Sequence, residues 1–163
     1  MFFHDPTTLA SELLEQCAAK GLRIATAESC TGGLITALLT SIEGASRVFE
    51  RGFVTYSNES KTEMLGVPQA LIAAHGAVSV EVAQAMAQGA LTHSHADLVL
   101  SITGIAGASG GSVLKPVGLV HLVAQRRGRK MIHHQRHFGD RGRNQVRQAS
   151  VIEAIGMLRQ LID

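Results

Sequence analysis

The sequence predicts an α/β protein, a single-domain three-layer α/β/α sandwich on a mixed, mostly parallel sheet. Three observations favour this fold class. Apolar runs of strand length alternate with longer runs of helical periodicity, which is typical of strand–helix–strand units. Residues 98–103 are almost wholly apolar, as expected for a central strand covered on both faces. Two strand-like runs flank a turn at Gly128, which adds an antiparallel hairpin.

The helices and strands follow one another along the chain without a repeat or a domain boundary. Asp5 followed by Pro6 is a typical helix start, and Gly21 is a typical helix end. The remaining predicted elements are a strand at 22–27, a helix at 34–42, a strand at 49–57, a helix at 58–65, a helix that begins after Ser79, strands at 98–103, 117–124 and 131–138, and a closing helix at 140–162. Residues 1–163 are therefore expected to form one domain.

Composition narrows the class of function. A formal net charge of +2 is too small to indicate nucleic acid, which we do not expect as a partner. The two cysteines, Cys17 on an apolar helix face and Cys30, favour a reduced, cytoplasmic setting over a structural disulfide. Residues 1–6 lack the basic start and long apolar core of a signal peptide, and no apolar run reaches the length of a membrane span.

The most informative segment is the turn between the first predicted strand and the next helix. It contains Ser29, Cys30, Thr31, Gly32 and Gly33. A glycine costs about 1 kcal/mol relative to alanine inside a helix, so two glycines in a first helical turn indicate backbone that approaches a ligand. We expect the amides of residues 30–33 to cradle an oxyanion or a carboxamide oxygen. Ser29 is then a candidate nucleophile, and the alternative is an ordinary helix N-cap.

The two neighbours of Ser29 also carry functional groups. Cys30 is an alternative nucleophile, because a helix N-terminus lowers the pKa of a thiol. Glu28 is expected to stabilise the helix N-terminus through its charge.

A nucleophilic serine needs a base, and the histidines do not follow it in a recognisable triad order. Lys61 is the candidate, provided that burial or another cation keeps its amine neutral; the alternative is a solvated helix lysine. Tyr56 either takes part in proton transfer or packs in a half-buried sheet. Asn58 either caps the short helix or hydrogen-bonds an amide substrate. Tyr56 and Lys61 reach Ser29 only if the second strand lies beside the first.

A glycine-rich loop at residues 104–111 follows Thr103. The loop, which includes Gly104 and Gly107, matches neither the P-loop nor the dinucleotide fingerprint. It is either a phosphate-binding loop, because glycine loops at strand ends turn several N–H groups towards an anion, or a flexible surface loop.

Three arginines lie at the start of the closing helix, where the helix dipole disfavours positive charge. Clustering of Arg141, Arg143 and Arg147 there favours a bound anion such as a phosphate. The alternative is a solvated basic face with Asp140 as the helix cap.

No metal is expected. His133 and His137 share a face of a predicted strand, but at 3.3 Å per residue they lie roughly 13 Å apart, too far to share an ion. Residues 126–130 form a basic hairpin tip, which is either a nucleic-acid contact or a solubilising turn.

Several segments resemble the CinA C-terminal domain family, in family order over nearly the whole chain. They are residues 27–34, 54–58 with Lys61, 65–67, 101–107, 115–118 and 138–141 with Val146 and Arg147. The resemblance implies an α/β/α fold and, for stand-alone members, hydrolysis of the carboxamide of nicotinamide mononucleotide to nicotinate mononucleotide and ammonia, in pyridine nucleotide salvage. It also implies that Ser29, rather than Cys30, acts with Lys61 and that Tyr56 lies nearby.

We therefore expect an amidohydrolase that acts on a small-molecule nucleotide and needs neither metal nor cofactor. Ser29 attacks the carboxamide carbon, Lys61 takes its proton, and Tyr56 relays the proton or holds Lys61. The expected substrate-binding residues are Cys30, Thr31, Gly32, Gly33, Asn58, Thr103, Gly104, Gly107, Arg141, Arg143 and Arg147. The alternative is a nucleotide- or DNA-binding interaction module linked to competence, without catalysis. No membrane association is expected, and the composition permits a homo-oligomer.

Overall fold

A single five-stranded sheet organises the molecule, whose computed structural model describes residues 5–163. The strand order is β2-β1-β3-β4-β5. The strands are β1 (Ile24–Glu28), β2 (Phe49–Val54), β3 (Leu98–Gly104), β4 (Leu119–Arg126) and β5 (Ile132–His137). β1 pairs in parallel with β2 and β3, whereas β4 is antiparallel to both β3 and β5. Only β4 is reversed, so the predicted mixed, mostly parallel sheet is confirmed.

Helices cover both faces of the sheet. They are α1 (Pro6–Ala19), α2 (Leu34–Thr40), α3 (Asn58–Leu65), α4 (Gln69–His75), α5 (Val80–Thr92) and α6 (Arg143–Arg159). One buried core joins α1, α2 and α6 to the sheet and includes Leu100, and the other joins α3, α4 and α5 to it and includes Val99. Because successive strand residues point to opposite faces, β3 supplies both cores. The predicted three-layer sandwich is confirmed.

Besides shifts of one or two residues at other element ends, the observed elements differ from the predicted ones in three places. The sequence pattern does not predict α4, a short helix whose only buried residue is Ile72 and whose periodicity is therefore weak. β2 ends at Val54, three residues earlier than predicted. α6 begins at Arg143 after Gly142, which has a φ of +86° and makes no side-chain cap, so the prediction of Asp140 as the cap is wrong. The signal-peptide expectation rests on residues 1–6, of which residues 1–4 lie outside the described residues.

Candidate active site

The candidate active site lies where the parallel strands end, the edge at which open α/β sheets bind ligands. Ser29 follows β1 directly, and its N–H donates to the Ile102 carbonyl of β3 at 3.0 Å. Thr55 follows β2, and its N–H donates to the Glu28 carbonyl at 2.8 Å. Lys61 lies in the first turns of α3, the helix that follows β2. Adjacent parallel strands thus bring the segments of Ser29 and Lys61 to one place.

The Lys61 side chain contacts the Ser29 hydroxyl. Nζ is 3.0 Å from Ser29 Oγ, although 32 positions separate the two residues. Nζ also donates to the Thr55 carbonyl at 2.8 Å and lies 3.4 Å from the Ser57 carbonyl. A neutral amine has two N–H bonds and one lone pair. When the amine is neutral, the two carbonyls accept its N–H bonds and its lone pair faces the Ser29 hydroxyl; when it is charged, Nζ donates to Ser29 Oγ.

The surroundings of Lys61 favour its neutral form. Its side chain is only 1% exposed, so the alternative of a solvated helix lysine is wrong. Burial lowers the pKa of the amine below its ordinary 10.5, and the charges of the neighbouring Cys30 thiolate form and of Glu59 oppose this shift. Its three hydrogen-bond partners are all uncharged. These surroundings therefore shift the amine towards its neutral form.

The turn at Ser29 is shaped by the neighbouring carboxylate of Glu28. The Glu28 side chain is fully buried and accepts the N–H groups of Gly33, Ile35 and Thr36 at 3.1, 3.0 and 2.8 Å. The expected role of Glu28 at the helix N-terminus is confirmed. The Gly32 N–H in turn donates to the Ser29 carbonyl at 3.0 Å. The predicted cradle of four amides is therefore wrong in part, because only those of residues 30 and 31 keep their N–H groups for a ligand.

Gly32 and Gly33 are explained by backbone conformation. Their φ angles are +59° and +95°, values that residues with a Cβ rarely adopt, and both precede α2, which begins at Leu34. The expectation that they lie inside a helical turn, and so indicate a nearby ligand, is wrong. A left-handed turn between β1 and α2 is sufficient to require them.

The Cys30 side chain is buried and lines the same cavity as Ser29. Burial, aided by the charge of Glu28, raises the pKa of the thiol to about 12. The predicted lowering of this pKa is wrong, because burial of the thiol outweighs the helix N-terminus, which the Glu28 carboxylate already occupies. A protonated thiol is a poor nucleophile, which favours Ser29.

A cavity of about 280 Å³ opens beside Ser29 and Lys61. Its lining residues are Ser29, Cys30, Tyr56, Asn58, Lys61, Ala77, Val78, Thr103, Gly104 and Arg143. All of them except Ala77 and Val78 belong to the predicted site. Those two residues lie between α4 and α5 and carry no polar side-chain atom, so the sequence offers no signal by which to find them.

Tyr56 lies at the rim of this cavity. Its side chain is 61% exposed and its hydroxyl accepts a hydrogen bond from Arg143 Nη2 at 2.8 Å. Tyr56 follows β2, so the alternative of a half-buried strand residue is wrong. The hydroxyl does not hold Lys61, because the backbone carbonyls on either side of Tyr56 do so.

Asn58 is the first residue of α3 and is exposed at the cavity. The prediction that it caps this helix is wrong, because Ser57 Oγ accepts the Ser60 N–H at 3.1 Å and is the cap. Asn58 therefore has no capping role, and it lines the cavity beside Ser29 and Lys61.

The segment after β3 forms the opposite wall. Thr103 is buried and donates to the Ala77 carbonyl at 2.8 Å. A Cβ at Gly104 would lie 2.8 Å from Val120 Cγ2, so packing against β4 requires glycine there. A Cβ at Gly107 would lie 3.4 Å from Arg143 Nη1, which places the glycine loop against that arginine. Gly107 itself does not line the cavity.

The three predicted phosphate-binding arginines have different surroundings. Arg143 lines the cavity, whereas Arg141 is exposed and precedes α6. Arg147 Nη2 donates to the carbonyl of Thr31 at 2.9 Å, and Thr31 is buried away from the cavity. Arg147 thus supports the turn that carries Ser29.

The arginines of the basic hairpin tip contact helix ends. Arg126 Nη1 donates to the carbonyls of Leu161 and Ile162, both at 3.0 Å. Arg127 Nη2 donates to the carbonyl of Leu91 at 2.9 Å, in the last turn of α5. Positive charge is favoured at helix C-termini, so these two guanidinium groups have a role in the fold that neither alternative anticipates.

Two histidines, one on β4 and one on β5, pair with each other. His133 is paired with His121, whose ring lies parallel to it with Nδ1 3.0 Å from its Nε2. Across residues 5–163, no group of three or more histidine, cysteine or acidic side chains is arranged to hold a metal ion. None of the helices in the same range is long and apolar enough to cross a membrane.

Curated relatives cover nearly all of this chain. A putative competence-damage inducible protein of Caldicellulosiruptor bescii is 48% identical over 158 residues, which are 97% of this chain and 38% of that protein. A CinA-like protein of Anaeromyxobacter dehalogenans is 49% identical over 160 residues, which are 98% of this chain and 38% of that protein. The chain therefore spans about 38% of the length of these relatives.

Solved structures are similar to this chain in fold and in sequence. The competence/damage inducible protein CihA from Agrobacterium tumefaciens has a TM-score of 0.96 and 47% identity, with coverage of 100% of this chain and 99% of that chain. A competence-damaged protein (CinA) superfamily protein from Escherichia coli has a TM-score of 0.91 and 34% identity, with coverage of 96% and 90%. The family model of the CinA C-terminal domain matches residues 6–162. The chain belongs to the CinA C-terminal domain family.

Proposed function

We propose that this chain hydrolyses the carboxamide of nicotinamide mononucleotide to nicotinate mononucleotide and ammonia. One observation carries the proposal: the buried amine of Lys61 lies 3.0 Å from Ser29 Oγ at an open cavity. A lysine with a purely structural role would pair with a carboxylate or extend to solvent. A desolvated amine in contact with a serine hydroxyl is instead the arrangement that activates a nucleophile.

The first chemical step acylates Ser29. The lone pair of Lys61 Nζ accepts the hydroxyl proton as Ser29 Oγ bonds to the carboxamide carbon, which gives a tetrahedral intermediate. The resulting ammonium then donates a proton to the leaving nitrogen. The carbon–nitrogen bond breaks, ammonia leaves, and a nicotinoyl ester remains on Ser29. In the second step Lys61 takes a proton from water, the water oxygen attacks the ester, and the proton returns to Ser29.

Backbone amides of the turn stabilise the negative charge of both intermediates. The N–H groups of Cys30 and Thr31 follow the nucleophile directly and are not engaged by Glu28 or by the Ser29 carbonyl. Loss of a single oxyanion donor costs about 3 kcal/mol of transition-state stabilisation in other hydrolases. Of these two residues only Cys30 lines the cavity, so its amide is expected to supply most of this stabilisation.

Residues at the rim select the nucleotide. The exposed ring of Tyr56 offers an aromatic face to the cationic pyridinium ring, and the Asn58 amide offers hydrogen bonds to ribose or to the carboxamide. Arg143, held between Tyr56 and Gly107, supplies the positive charge for the 5′-phosphate. Thr103 and Gly104 complete the wall beside the reacting group.

Ammonia release from nicotinamide mononucleotide tests the proposal. Ser29→Ala should lower kcat by about 10⁴-fold or more, as loss of a serine nucleophile does elsewhere. Ser46→Ala, a change at an exposed serine away from the cavity, is the matched control and should leave kcat unchanged. Ammonia release by Ser29→Ala at a rate close to that of the control would exclude the mechanism.

The alternative of a noncatalytic module linked to competence has less support. Relatives carry names that refer to competence and damage. However, Arg126 and Arg127 of the basic tip donate to backbone carbonyls of this chain, so these two guanidinium groups are held by the fold and have fewer donors left for DNA phosphates. The alternative also leaves the contact between Lys61 and Ser29 unexplained.

A further inference from the structure

The carboxylate beside the nucleophile is held by an unusually complete set of donors. Glu28 Oε2 accepts the N–H groups of Gly33 and Ile35, and Oε1 accepts the N–H and the hydroxyl of Thr36 at 2.8 and 2.9 Å. The side chain is 0% exposed. Transfer of a carboxylate into such an interior is costly unless hydrogen bonds compensate it. All four donors are neutral, so they form an anion site built from backbone and one hydroxyl.

Helix capping alone does not require this arrangement. At α1, α3 and α5 the caps are Asp5, Ser57 and Ser79, and each accepts one backbone N–H with an exposed or small side chain. A serine or an asparagine at the start of α2 would satisfy its amides at much lower desolvation cost. The buried Glu28 therefore serves a purpose other than the stability of a seven-residue helix.

The backbone of Glu28 is part of a closed circuit that contains both members of the dyad. Its carbonyl accepts the Thr55 N–H at 2.8 Å, and the Thr55 carbonyl accepts a hydrogen bond from Lys61 at 2.8 Å. Lys61 contacts Ser29, which is covalently bonded to Glu28. A shift of Glu28 is thus transmitted to the nucleophile through one peptide bond and to the base through two hydrogen bonds.

A second layer of contacts fixes the partner of Glu28. Thr36 Oγ1 is 2.9 Å from the hydroxyl of Thr26 on β1. Gly52 on β2 leaves room for this pair, because a Cβ there would overlap Thr36 Oγ1. Residues of β1, α2 and β2 therefore meet at the Thr36 hydroxyl, which bonds the Glu28 carboxylate.

We propose that Glu28 is a positioning residue for the reaction at Ser29. Its buried carboxylate anchors residues 33–36, sets the path of the turn, and keeps Ser29 Oγ against Lys61 with the amide of Cys30 left for the oxyanion. The inference rests on the proposed function, because it assigns Glu28 a role in the same acyl transfer. Displacement of a reacting group by about 1 Å costs roughly 10²-fold in rate.

A fluorophosphonate probe tests the inference independently of the natural substrate. The probe bonds its phosphorus to an activated serine oxygen, fluoride leaves, and Lys61 takes the hydroxyl proton. The labelling rate is measured by intact-protein mass spectrometry in Glu28→Gln, with Asp5→Asn as the matched control. Asp5 is a carboxylate cap at the start of α1, outside the lining of the cavity. Ser29→Ala identifies the labelled residue.

Glu28→Gln places an NH₂ group against a set of N–H donors, so the turn must shift. We expect its labelling rate, per folded protein, to fall by about 10- to 100-fold, while Asp5→Asn labels at the wild-type rate. With nicotinamide mononucleotide, kcat should fall similarly and KM should stay within about twofold, because a transition-state interaction is lost. Labelling of Glu28→Gln at the wild-type rate would overturn the inference.

Two variants of Thr36 cover the case in which Glu28→Gln does not fold. Thr36→Ser keeps the hydroxyl donor to Glu28 and should label at the wild-type rate, whereas Thr36→Val removes it and should label more slowly. Equal rates for these two variants overturn the positioning role. Wild-type labelling without turnover of nicotinamide mononucleotide overturns only the substrate, and absence of wild-type labelling overturns both the dyad and the role of Glu28.

Discussion

Lys61 Nζ and Ser29 Oγ are 3.0 Å apart, and the same nitrogen donates to the Thr55 carbonyl at 2.8 Å. The proposed base and the backbone that orients it therefore come from one segment, the end of β2 and the start of α3. The proposed nucleophile directly follows the neighbouring parallel strand, β1. This relationship makes the protonation state of Lys61 the main determinant of activity in the proposed mechanism.

The pH profile should report the titration of Lys61. The amine accepts a proton only when neutral, and burial lowers its pKa below 10.5. We therefore expect kcat/KM for nicotinamide mononucleotide to fall as the pH drops below the lowered pKa of Lys61. This fall is the acid limb of the pH profile. Lys61→Arg keeps the charge but cannot lose its proton, so it should be inactive throughout. Lys130→Ala, at an exposed lysine, should leave the acid limb in place. An unchanged limb in Lys61→Ala would contradict the assignment.

The same titration should be visible in the free energy of unfolding. Between the lowered pKa of folded Lys61 and the ordinary 10.5, the unfolded chain binds a proton that the folded chain does not. Stability contributed by this group therefore rises with pH across that interval. Lys61→Met has no titrating amine and should lack the rise. In urea unfolding at several pH values, the free energy of unfolding of the wild type should increase relative to that of Lys61→Met by about 1.4 kcal/mol for each pKa unit of the shift. A constant difference between the two proteins in the free energy of unfolding across this pH range would refute the prediction.

Much of the fold could be predicted because hydrophobic periodicity is a local property. The apolar run that forms β3 and the apolar stripe along α6 can be read directly from the sequence, and each indicates a buried surface. α4 lacks such a signal, since burial of Ile72 alone gives no period. Strand ends are also weakly encoded: β2 ends where Thr55 turns to bond Glu28, a contact between residues far apart in the sequence.

The sequence could indicate the candidate site only where a side chain has a recognisable chemistry. Ser29 and Lys61 meet this condition, because a hydroxyl and an amine each follow a predicted strand, and adjacent parallel strands end at one edge of a sheet. The two capping arginines at positions 126 and 127 and the apolar wall at Ala77 and Val78 do not, because their roles depend on the tertiary position of backbone atoms. Positive φ at Gly32 and Gly33 is likewise decided by the path between β1 and α2.

Tyr56 should contribute to binding more than to proton transfer. Its hydroxyl accepts a hydrogen bond from Arg143, and backbone carbonyls hold Lys61. Tyr56→Phe removes that hydrogen bond, worth about 1 kcal/mol, and should raise KM for nicotinamide mononucleotide by about fivefold with little change in kcat. Steady-state kinetics of Tyr56→Phe beside Tyr56→Ala separate loss of the hydroxyl from loss of the ring. A large fall in kcat with unchanged KM in Tyr56→Phe would instead support the proton relay.

Arg143 and Arg147 should have separable roles. Arg143 lines the cavity, whereas Arg147 donates to the Thr31 carbonyl behind the nucleophile. Arg143→Ala should raise KM for nicotinamide mononucleotide by about tenfold or more, because a charge-assisted hydrogen bond to phosphate is worth roughly 1.5–3 kcal/mol. This effect should vanish with nicotinamide riboside, which lacks the phosphate.

Arg147→Ala should lower kcat for both substrates and also lower the Tm, because the substitution removes a hydrogen bond that supports the turn and removes no contact with the ligand. Arg141→Ala, at an exposed position before α6, is the matched control for removal of one positive charge from the same segment. The comparison of the mononucleotide with the riboside decides the assignment. If Arg147→Ala discriminated between the two substrates and Arg143→Ala did not, the phosphate would lie against Arg147, and Arg143 would be the residue that supports the turn.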